Sequence, residues 1–364
     1  MTLHQYILGC WLFFCCSCKT DGQILNSAQT NFPLTSSDQW KIASIDSLGW
    51  NKEAIEELKT LLKENGTRAF LVIKEGKIVL EEYFGKDLPG IADFNKNKQW
   101  YWASAGKTLT AFTVGLAQED GYLNIDDKTS DYLGKHWTTL TTDQEDKITI
   151  KNQLTMTSGL DDSKSGRNSF APSNLTYKTD AGTRWAYHNA PYTLLEKVVG
   201  KAVGKDFDDY FDEKLASKIG MDGEWRWLGE YHIFFSTARS MARFGLLILN
   251  KGSWNGETIM KDQNFFNEMI TPSQNLNKSY GYLWWLNGKE SYMLPQSQKT
   301  VEGSLTPNAP PDMVSGLGKN GQFLNVVPSL NLVVVRMGEN PGDSSVAASF
   351  QNKIWEKLNA IMNR

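Results

Sequence analysis

The chain has 364 residues, which is enough for one large domain or two smaller ones. Hydrophobic residues make up 40% of it and charged residues 22%, as in ordinary globular proteins. The net charge of -3 provides no basic surface for nucleic acid, so nucleic-acid binding is not expected.

The N-terminus resembles an export signal. All four cysteines lie in the first 18 residues, within the apolar stretch YILGCWLFFCCSCK, which is too short to span a bilayer but suits a signal peptide. Small residues before a cysteine, followed by polar residues, resemble a bacterial lipoprotein signal. Cys18 is the expected lipidated residue and Cys16 the alternative; a plain secretory signal or a short anchor is also open.

These features predict a signal peptide at 1–18 and a polar tether at 19–40. We expect an exported protein that is periplasmic, attached to the outer membrane as a lipoprotein, or secreted. Membrane contact would run only through an N-terminal lipid.

The cysteine and histidine content limits the chemistry of the folded part. No cysteine follows residue 18, which excludes a thiol nucleophile, a thiolate zinc site and disulfides there. Three histidines follow the signal, and no two of them have the helical spacing of metal ligands. We therefore expect no metal and no organic cofactor.

The first predicted elements are a helix and a hairpin. Ile55, Leu58 and Leu62 form a helical stripe, which predicts a helix that begins after the N-cap residue Asn51 and ends at Gly66. Two β-rich runs around KEGK then predict a β-hairpin.

The next predicted helix carries a Ser-x-x-Lys motif at its start. Leu109, Phe112 and Leu116 predict a helix that stops at Gly121, with Ser104 in its first turn. Because a helix N-terminus offers free backbone N–H groups and the positive end of the helix dipole, this position favours developing negative charge.

The later elements return to strands. The chain to about residue 275 reads as mainly helical with long loops. The run GLGKNGQFLNVVPSLNLVVVRMG predicts strands with a turn near Pro328–Asn331. A C-terminal helix has one apolar face, formed by Phe350, Ile354, Leu358 and Ile361.

Strands at both ends and helices between them predict an α/β fold. We expect a single antiparallel sheet built from both chain ends, with flanking helices and an inserted helical subdomain. Within one domain at 41–364, the α/β part is expected at about 41–100 and 275–364 and the helical part at about 101–274.

The Ser-x-x-Lys motif suits a nucleophile with its base. Lys107 lies three residues after Ser104, so both project from one helix face. A lysine acts as a base only if burial or neighbouring cations lower its pKa, and the flank Trp100, Tyr101 and Trp102 is expected to supply that burial. The motif alone also fits a surface lysine on an ordinary helix.

Two tripeptides further along strengthen the first interpretation. Tyr187-His188-Asn189 precedes an apolar helical run, and Lys319-Asn320-Gly321 is predicted at the start of a late strand. Each tripeptide is weak alone, but the three motifs in this order are much less easily explained by chance.

With these motifs the sequence resembles the serine β-lactamase and penicillin-binding protein superfamily. The most similar branch contains class C β-lactamases, D-Ala-D-Ala carboxypeptidases and esterases (peptidase family S12), and the 6-aminohexanoate-dimer hydrolases are also similar. The resemblance covers nearly the whole folded chain and implies a β-lactamase/transpeptidase-like fold. It extends to the segments ITIKNQLTMTSGLDD, LAQEDGYLNIDDKTSDYLG, FSTARSMARFGLLILNKGSWNG and YGYLWW.

The resemblance implies a role for each motif residue. Ser104 matches the acylated serine, and Lys107 matches the lysine that takes part in its activation. Tyr187 matches the tyrosine that shuttles a proton between serine, leaving group and water. Asn189 is expected to hold Lys107 and the substrate amide, and Lys319 to polarise the site and attract a substrate carboxylate.

The same resemblance implies an oxyanion hole made by the backbone N–H groups of Ser104 and Gln322, the residue after Gly321. The third motif has Asn320 where β-lactamases and transpeptidases usually have threonine, and the second has His188 where small residues are commoner. These departures leave acyl transfer intact but put β-lactam and D-Ala-D-Ala specificity in doubt.

We therefore expect a serine hydrolase that cleaves a small-molecule ester, amide or peptide through an acyl-enzyme. The alternatives are a β-lactamase or D-Ala-D-Ala carboxypeptidase, and a non-catalytic binding protein on the same fold. A Ser-His-Asp enzyme of the α/β-hydrolase type needs Gly-x-Ser-x-Gly, which the sequence lacks.

Overall fold

The computed structural model describes residues 30–343 and 346–364, so the predicted signal peptide with Cys18 lies outside the described residues. Within the described part no helix is long and apolar enough to cross a bilayer.

The strands are β1 (Thr67–Lys74), β2 (Lys77–Tyr83), β3 (Trp100–Tyr101), β4 (Glu224–Leu228), β5 (Tyr231–Ser236), β6 (Ser253–Trp254), β7 (Glu257–Thr258), β8 (Trp285–Leu286), β9 (Ser291–Tyr292), β10 (Val301–Glu302), β11 (Val314–Gly318), β12 (Gln322–Val327) and β13 (Leu332–Gly338).

The helices alternate with these strands and dominate the middle of the chain. They are α1 (Glu53–Glu64), α2 (Lys107–Glu119), α3 (Thr129–Leu133), α4 (Thr142–Glu145), α5 (Ile150–Leu154), α6 (Asn189–Val203), α7 (Phe207–Phe211), α8 (Ser217–Ile219), α9 (Ala238–Leu249), α10 (Gln263–Met269) and α11 (Ala348–Ile361).

The main sheet is antiparallel and has the order β2-β1-β13-β12-β11-β8. It joins the two chain ends, because β1 pairs with β13 along its length. The predicted KEGK hairpin is confirmed as β1 and β2, and the predicted N-terminal and C-terminal helices are confirmed as α1 and α11. Asn51 accepts a hydrogen bond from the Glu53 N–H at 3.0 Å, as a capping residue does.

The sheet is covered by helices on both faces. Phe323 of β12 packs against Phe350 of α11 on one face. The next residue, Leu324, faces α9 on the other side, where a Cβ at Gly245 would lie 2.9 Å from the Leu324 Cδ1 atom. Glycine in α9 therefore lets that helix pack tightly on the sheet, and the Phe244 ring of α9 in turn lies 5.8 Å from the Phe112 ring of α2.

A second sheet corrects the prediction of a single one. Strands β3, β5 and β4 pair in that order within the region that was expected to be mainly helical. Trp225 of β4 packs its ring 5.6 Å from that of Phe211 in α7, and Phe234 of β5 packs 5.2 Å from the same ring. The two short strands thus bury their aromatic side chains on a helix that sequence periodicity does not place beside them.

Part of the predicted tether belongs to the folded domain. Within residues 30–40, the Asn31 N–H donates to the Glu75 carbonyl at 3.0 Å. The mostly buried Arg243 donates to the Ser37 carbonyl at 2.6 Å. Contacts of this kind fix the backbone, so the ordered domain begins before the expected boundary at 41.

Candidate active site

Ser104 lies in a short 3-10 turn, Ala103–Gly106, that leads directly into α2. The preceding residue, Ala103, has a φ of 47°, which is in the left-handed region that non-glycine residues rarely adopt. This turn carries Ser104 to the wall of a cavity of about 500 Å³. The expected placement at the start of a helix is therefore what the structure shows.

Lys107, the first residue of α2, points back at Ser104. Its Nζ atom lies 3.0 Å from the Ser104 Oγ atom. It also lies 4.2 Å from the ring centroid of Tyr192 and 5.1 Å from that of Tyr187. Burial lowers the pKa of Lys107 to about 7, and the nearby carboxylate of Glu196 opposes that shift. A large fraction of Lys107 is therefore neutral at neutral pH and able to accept a proton.

The source of this burial differs from the expected one. Trp102 is fully buried in the core and donates its indole N–H to the Ser236 Oγ at 2.7 Å. Trp100 packs edge-on against Phe94, 5.6 Å between ring centroids. The Trp100–Trp102 flank therefore supports the turn from behind, and the side chains packed on Lys107 come from the Tyr187 segment and α6.

Tyr187 lines the cavity beside Ser104 and Lys107. Its hydroxyl interacts with the Ser104 side chain. Its ring stacks on Trp285 at 5.9 Å and meets Tyr280 edge-on at 6.2 Å, which leaves it little freedom to rotate. Burial raises the pKa of Tyr187 well above its usual value, so the hydroxyl keeps its proton at neutral pH and is a donor.

Asn189 lines the same cavity but contacts a different partner from the expected one. Its Nδ2 group donates to the Asn168 Oδ1 atom at 3.0 Å, whereas the Lys107 ammonium donates to Ser104. The Asn189 Oδ1 atom is buried and meets no hydrogen-bond donor among the residues described. That oxygen is inaccessible to solvent, so a substrate group could reach it only if neighbouring side chains moved.

The third motif lies in a turn, not at the start of a strand. Lys319, Asn320 and Gly321 connect β11 to β12. The exposed Lys319 lines the cavity beside Ser104. Asn320 has a φ of 67° and donates its Nδ2 group to the Tyr101 hydroxyl at 2.8 Å. Asn320 thus stabilises the turn and does not line the cavity.

A buried arginine fixes the shape of that turn. Arg336 of β13 is inaccessible to solvent and donates to the carbonyl oxygens of Asn320 at 2.6 Å and Gly321 at 2.8 Å. Gly321 has a φ of 72°, and a Cβ there would lie 2.8 Å from the Arg336 Nη1 atom. Only glycine therefore fits at this point of the turn.

Gln322 is not placed to act as an oxyanion donor. Along β11, the backbone N–H and C=O groups of successive residues point alternately toward β8 and toward β12. The Asn287 N–H donates to the Met313 carbonyl at 2.9 Å, so Met313 and every second residue after it point toward β8. Gly318 is one of the residues that point toward β12, where it pairs with Gln322. The Gln322 N–H is consequently directed into the sheet.

Two glycines outside the three motifs let β11 approach the turn that carries Ser104. A Cβ at Gly318 would lie 2.4 Å from the Trp102 carbonyl oxygen and 3.1 Å from the Ala105 nitrogen. A Cβ at Gly316 would lie 3.3 Å from the Ala105 carbonyl oxygen. A Gly-x-Gly inside a strand indicates close backbone approach, and this signal was available in the sequence.

Metal-binding side chains do not cluster among the described residues. No group of three or more His, Cys, Asp or Glu side chains there is arranged to hold an ion. The chemistry that the cavity itself offers is that of Ser104, Lys107 and Tyr187.

Comparisons with known proteins agree with this arrangement. The model of the beta-lactamase family matches residues 60–349, so the chain belongs to that family and the predicted superfamily is confirmed. The solved structures that resemble this chain include a penicillin-binding protein of Bacillus halodurans, at a TM-score of 0.60 and 18% identity, covering 83% of this chain and 99% of the other.

Individual relatives are distant. An uncharacterised protein of Alkalihalophilus pseudofirmus is 25% identical over 314 residues, which cover 78% of this chain and 86% of that one. A Bacillus anthracis protein provisionally named a 6-aminohexanoate-dimer hydrolase has a TM-score of 0.68 at 19% identity, covering 91% of this chain and 89% of the other. A family VIII carboxylesterase has a TM-score of 0.67 at 15% identity, covering 88% and 98%. The predicted α/β fold is thereby confirmed.

Proposed function

We propose that this protein hydrolyses esters or linear amides through an acyl-enzyme formed on Ser104. The observation that carries the proposal is the 3.0 Å contact between the Lys107 Nζ and Ser104 Oγ atoms, made by a lysine whose pKa burial lowers to about 7. A nucleophilic serine needs an adjacent base, and this pair meets that need without histidine or a metal.

The positions of the side chains suggest an order of proton transfers. Neutral Lys107 accepts the Ser104 proton as the Oγ atom attacks the substrate carbonyl. Tyr187, protonated and in reach of Ser104, then donates a proton to the departing alcohol or amine. Asn189 lines the cavity, but its buried Oδ1 atom would have to be uncovered on binding before it could accept an N–H of an amide substrate. In deacylation, water would attack the ester on Ser104 and give its proton to the Tyr187 oxygen, while the Lys107 ammonium would return a proton to the departing Ser104 oxygen, so that all three side chains regain their starting states.

The oxyanion hole in this proposal uses the backbone N–H groups of Ser104 and Lys319. Lys319 lies an even number of residues after Met313, so its backbone N–H points to the same side of β11, the side of β8. The pairing with β8 ends at Ser315, so no described strand lies opposite Lys319. Its N–H is therefore directed at the open edge of β11, beside the cavity that Lys319 lines. Two such donors are the usual means of stabilising a tetrahedral intermediate.

A β-lactamase or D-Ala-D-Ala carboxypeptidase is the second candidate. The exposed Lys319 ammonium at the cavity favours it, because such substrates carry a carboxylate. Asn320 counts against it, since its side chain is turned to Tyr101 and offers the cavity no hydroxyl. We expect esterase activity on a short-chain para-nitrophenyl ester and far slower cephalosporin hydrolysis; rapid hydrolysis of a chromogenic cephalosporin would favour the second candidate.

The proposal is tested by labelling the nucleophile. A fluorophosphonate probe should modify the wild-type protein once, on Ser104, as shown by intact-mass analysis and peptide mapping. Ser104→Ala should lose labelling and turnover while keeping its unfolding temperature, whereas the exposed Ser47→Ala variant should behave as wild type. No labelling of a folded wild-type protein would support the non-catalytic binding role instead.

Export is a separate proposal that rests on the sequence. We infer that the chain is exported and carries a lipid on Cys18, because the apolar N-terminal run ends in small residues before that cysteine. The Cys18→Ser protein should move from the membrane fraction to the soluble fraction, and Cys10→Ser should not. Wild-type protein found wholly in the soluble fraction would argue for a cleaved secretory signal.

A further inference from the structure

One wall of the cavity is a loop held by the Tyr187-His188-Asn189 segment. The His188 Nε2 atom lies 2.6 Å from the Arg167 carbonyl oxygen. Burial lowers the pKa of His188, so the ring is neutral at pH 7, and Nε2 carries the proton that this carbonyl accepts. Asn189 donates to Asn168, the next residue of the loop, at 3.0 Å. His188, unusual in the resembled family, thus has a structural purpose beside the catalytic tyrosine.

The loop has a further anchor. The Phe170 ring lies 5.8 Å from that of Trp227 in β4, and the Lys197 Nζ atom of α6 lies 4.2 Å from the Phe170 ring centroid. The backbone that carries Arg167 is therefore held, at Arg167 itself and at the residues that follow it, against elements that also line the cavity. Its side chain starts from a fixed position relative to the nucleophile.

The described lining of the cavity contains two cations and no carboxylate. Arg167 and Lys319 line it beside Lys107, which is partly neutral at pH 7, and no aspartate or glutamate does. The half-buried Arg167 guanidinium makes no hydrogen bond, ion pair or ring contact with any residue of the described chain.

The two aspartates that precede Arg167 in the same loop pair with other cations. Asp162 pairs with Arg184 at 2.8 Å, and Asp161 lies 3.7 Å from Lys178. Arginine presents a planar set of donors that matches a carboxylate with two parallel hydrogen bonds. An arginine left free at a cavity wall, with its backbone held in place, is suited to bind an anion that enters the cavity.

Part of the cavity wall is apolar. Leu228, Tyr231 and Ile233 of the β4–β5 hairpin line the same cavity. Apolar surface next to a free cation fits a molecule in which an apolar segment ends in a negative charge.

We propose that Arg167 is a specificity-determining residue that binds a substrate carboxylate, so that the preferred substrates are esters or amides with an apolar segment ending in a free carboxylate. The inference rests on the proposed hydrolase function and assigns the substrate class of that same site. Lys319 is the other cation at the cavity, and the test compares the two.

The test uses substrates that differ only in charge. On the acyl side, the para-nitrophenyl monoester of adipic acid is compared with its neutral methyl ester. On the leaving-group side, the hexanoate ester of a carboxyphenol is compared with the hexanoate ester of the same phenol whose carboxyl group is methylated. Arg167→Gln should lower kcat/KM for the carboxylate member of one pair about 10- to 100-fold more than for its neutral partner, as expected for loss of a charged hydrogen bond.

Three variants make the result specific. Lys164→Gln removes the same charge from an exposed position on the same loop and should leave the ratio within each pair as in wild type. Arg167→Lys should recover part of the lost preference, because it keeps the charge but not the paired donors. Lys319→Gln should lower the preference less than Arg167→Gln does.

Two outcomes would overturn the inference: ratios in Arg167→Gln within about twofold of wild type for both pairs, or a larger effect in Lys319→Gln. The neutral esters separate this failure from failure of the proposed function. If wild type hydrolyses a neutral ester and Ser104→Ala does not, the function stands whatever Arg167 does. If wild type hydrolyses no ester and takes no probe, the function itself is refuted.

Discussion

The protonation of Lys107 is the property on which the proposed chemistry depends, and Glu196 is the group that should move it. Glu196 of α6 is buried, and its Oε2 atom lies 2.9 Å from the His232 Nδ1 atom. Its carboxylate favours the charged form of Lys107, against the desolvation that favours the neutral form. Replacing Glu196 by glutamine removes this opposing charge at nearly constant volume.

The expected size of the pH effect follows from the burial of Lys107. A fall in pKa from 10.5 to about 7 corresponds to about 5 kcal/mol between the two protonation states. At pH 7 about half of the lysine is then neutral, against less than about 0.1% for a free lysine. In wild type, kcat/KM should therefore fall about tenfold per pH unit below 7 and level off above about pH 8.

The assay is the pH dependence of kcat/KM on a neutral para-nitrophenyl ester, between pH 5 and 9. Because removal of Glu196 lowers the pKa of Lys107 further, the acid limb in Glu196→Gln should move to lower pH, and its activity at pH 6 relative to pH 8 should rise. Asp208→Asn is the matched control: this carboxylate lies 3.7 Å from His232 on the far ring nitrogen, so its removal should shift the limb less.

Two results would refute this reasoning. A wild-type profile with no acid limb near pH 7 would mean that the protonation of Lys107 does not limit acylation. An acid limb that moves to higher pH in Glu196→Gln would mean that Glu196 acts on another group, such as His232.

Two further predictions concern the packing that holds the site together. Gly318→Ala should reduce kcat/KM at least about 100-fold with little loss of helix content, because its Cβ would lie 2.4 Å from the Trp102 carbonyl oxygen and displace the turn that carries Ser104. Gly316→Ala on the same strand is the control and should lose less, because its Cβ would come no closer than 3.2 Å to a neighbouring atom. Near-normal turnover of Gly318→Ala would show that this close approach is dispensable. Arg336→Gln should lower the free energy of unfolding by about 3–5 kcal/mol in urea denaturation, because it leaves the Asn320 and Gly321 carbonyls without their buried donor; a loss under about 1 kcal/mol would mean that water replaces the guanidinium.

Local patterns in the sequence determined the main elements and the centre of the site. The apolar stripes in the sequence correctly predict α1 and α11, because each helix buries the apolar face that its own residues form. Ser104 and Lys107 meet because residues three apart share a helical face. The order of the three motifs sufficed to identify the family.

The tertiary structure alone decided what surrounds those residues. Lys107 is buried by Tyr187 and Tyr192, some eighty residues further along the chain, and not by the adjacent tryptophans. The direction of the Gln322 N–H depends on the pairing of β11 with its neighbours on both sides, which no local pattern contains. Desolvation and strand pairing arise from segments far apart in sequence, so the lowered pKa of Lys107 and the directions of the backbone N–H groups around the cavity can be determined only once those segments are packed together.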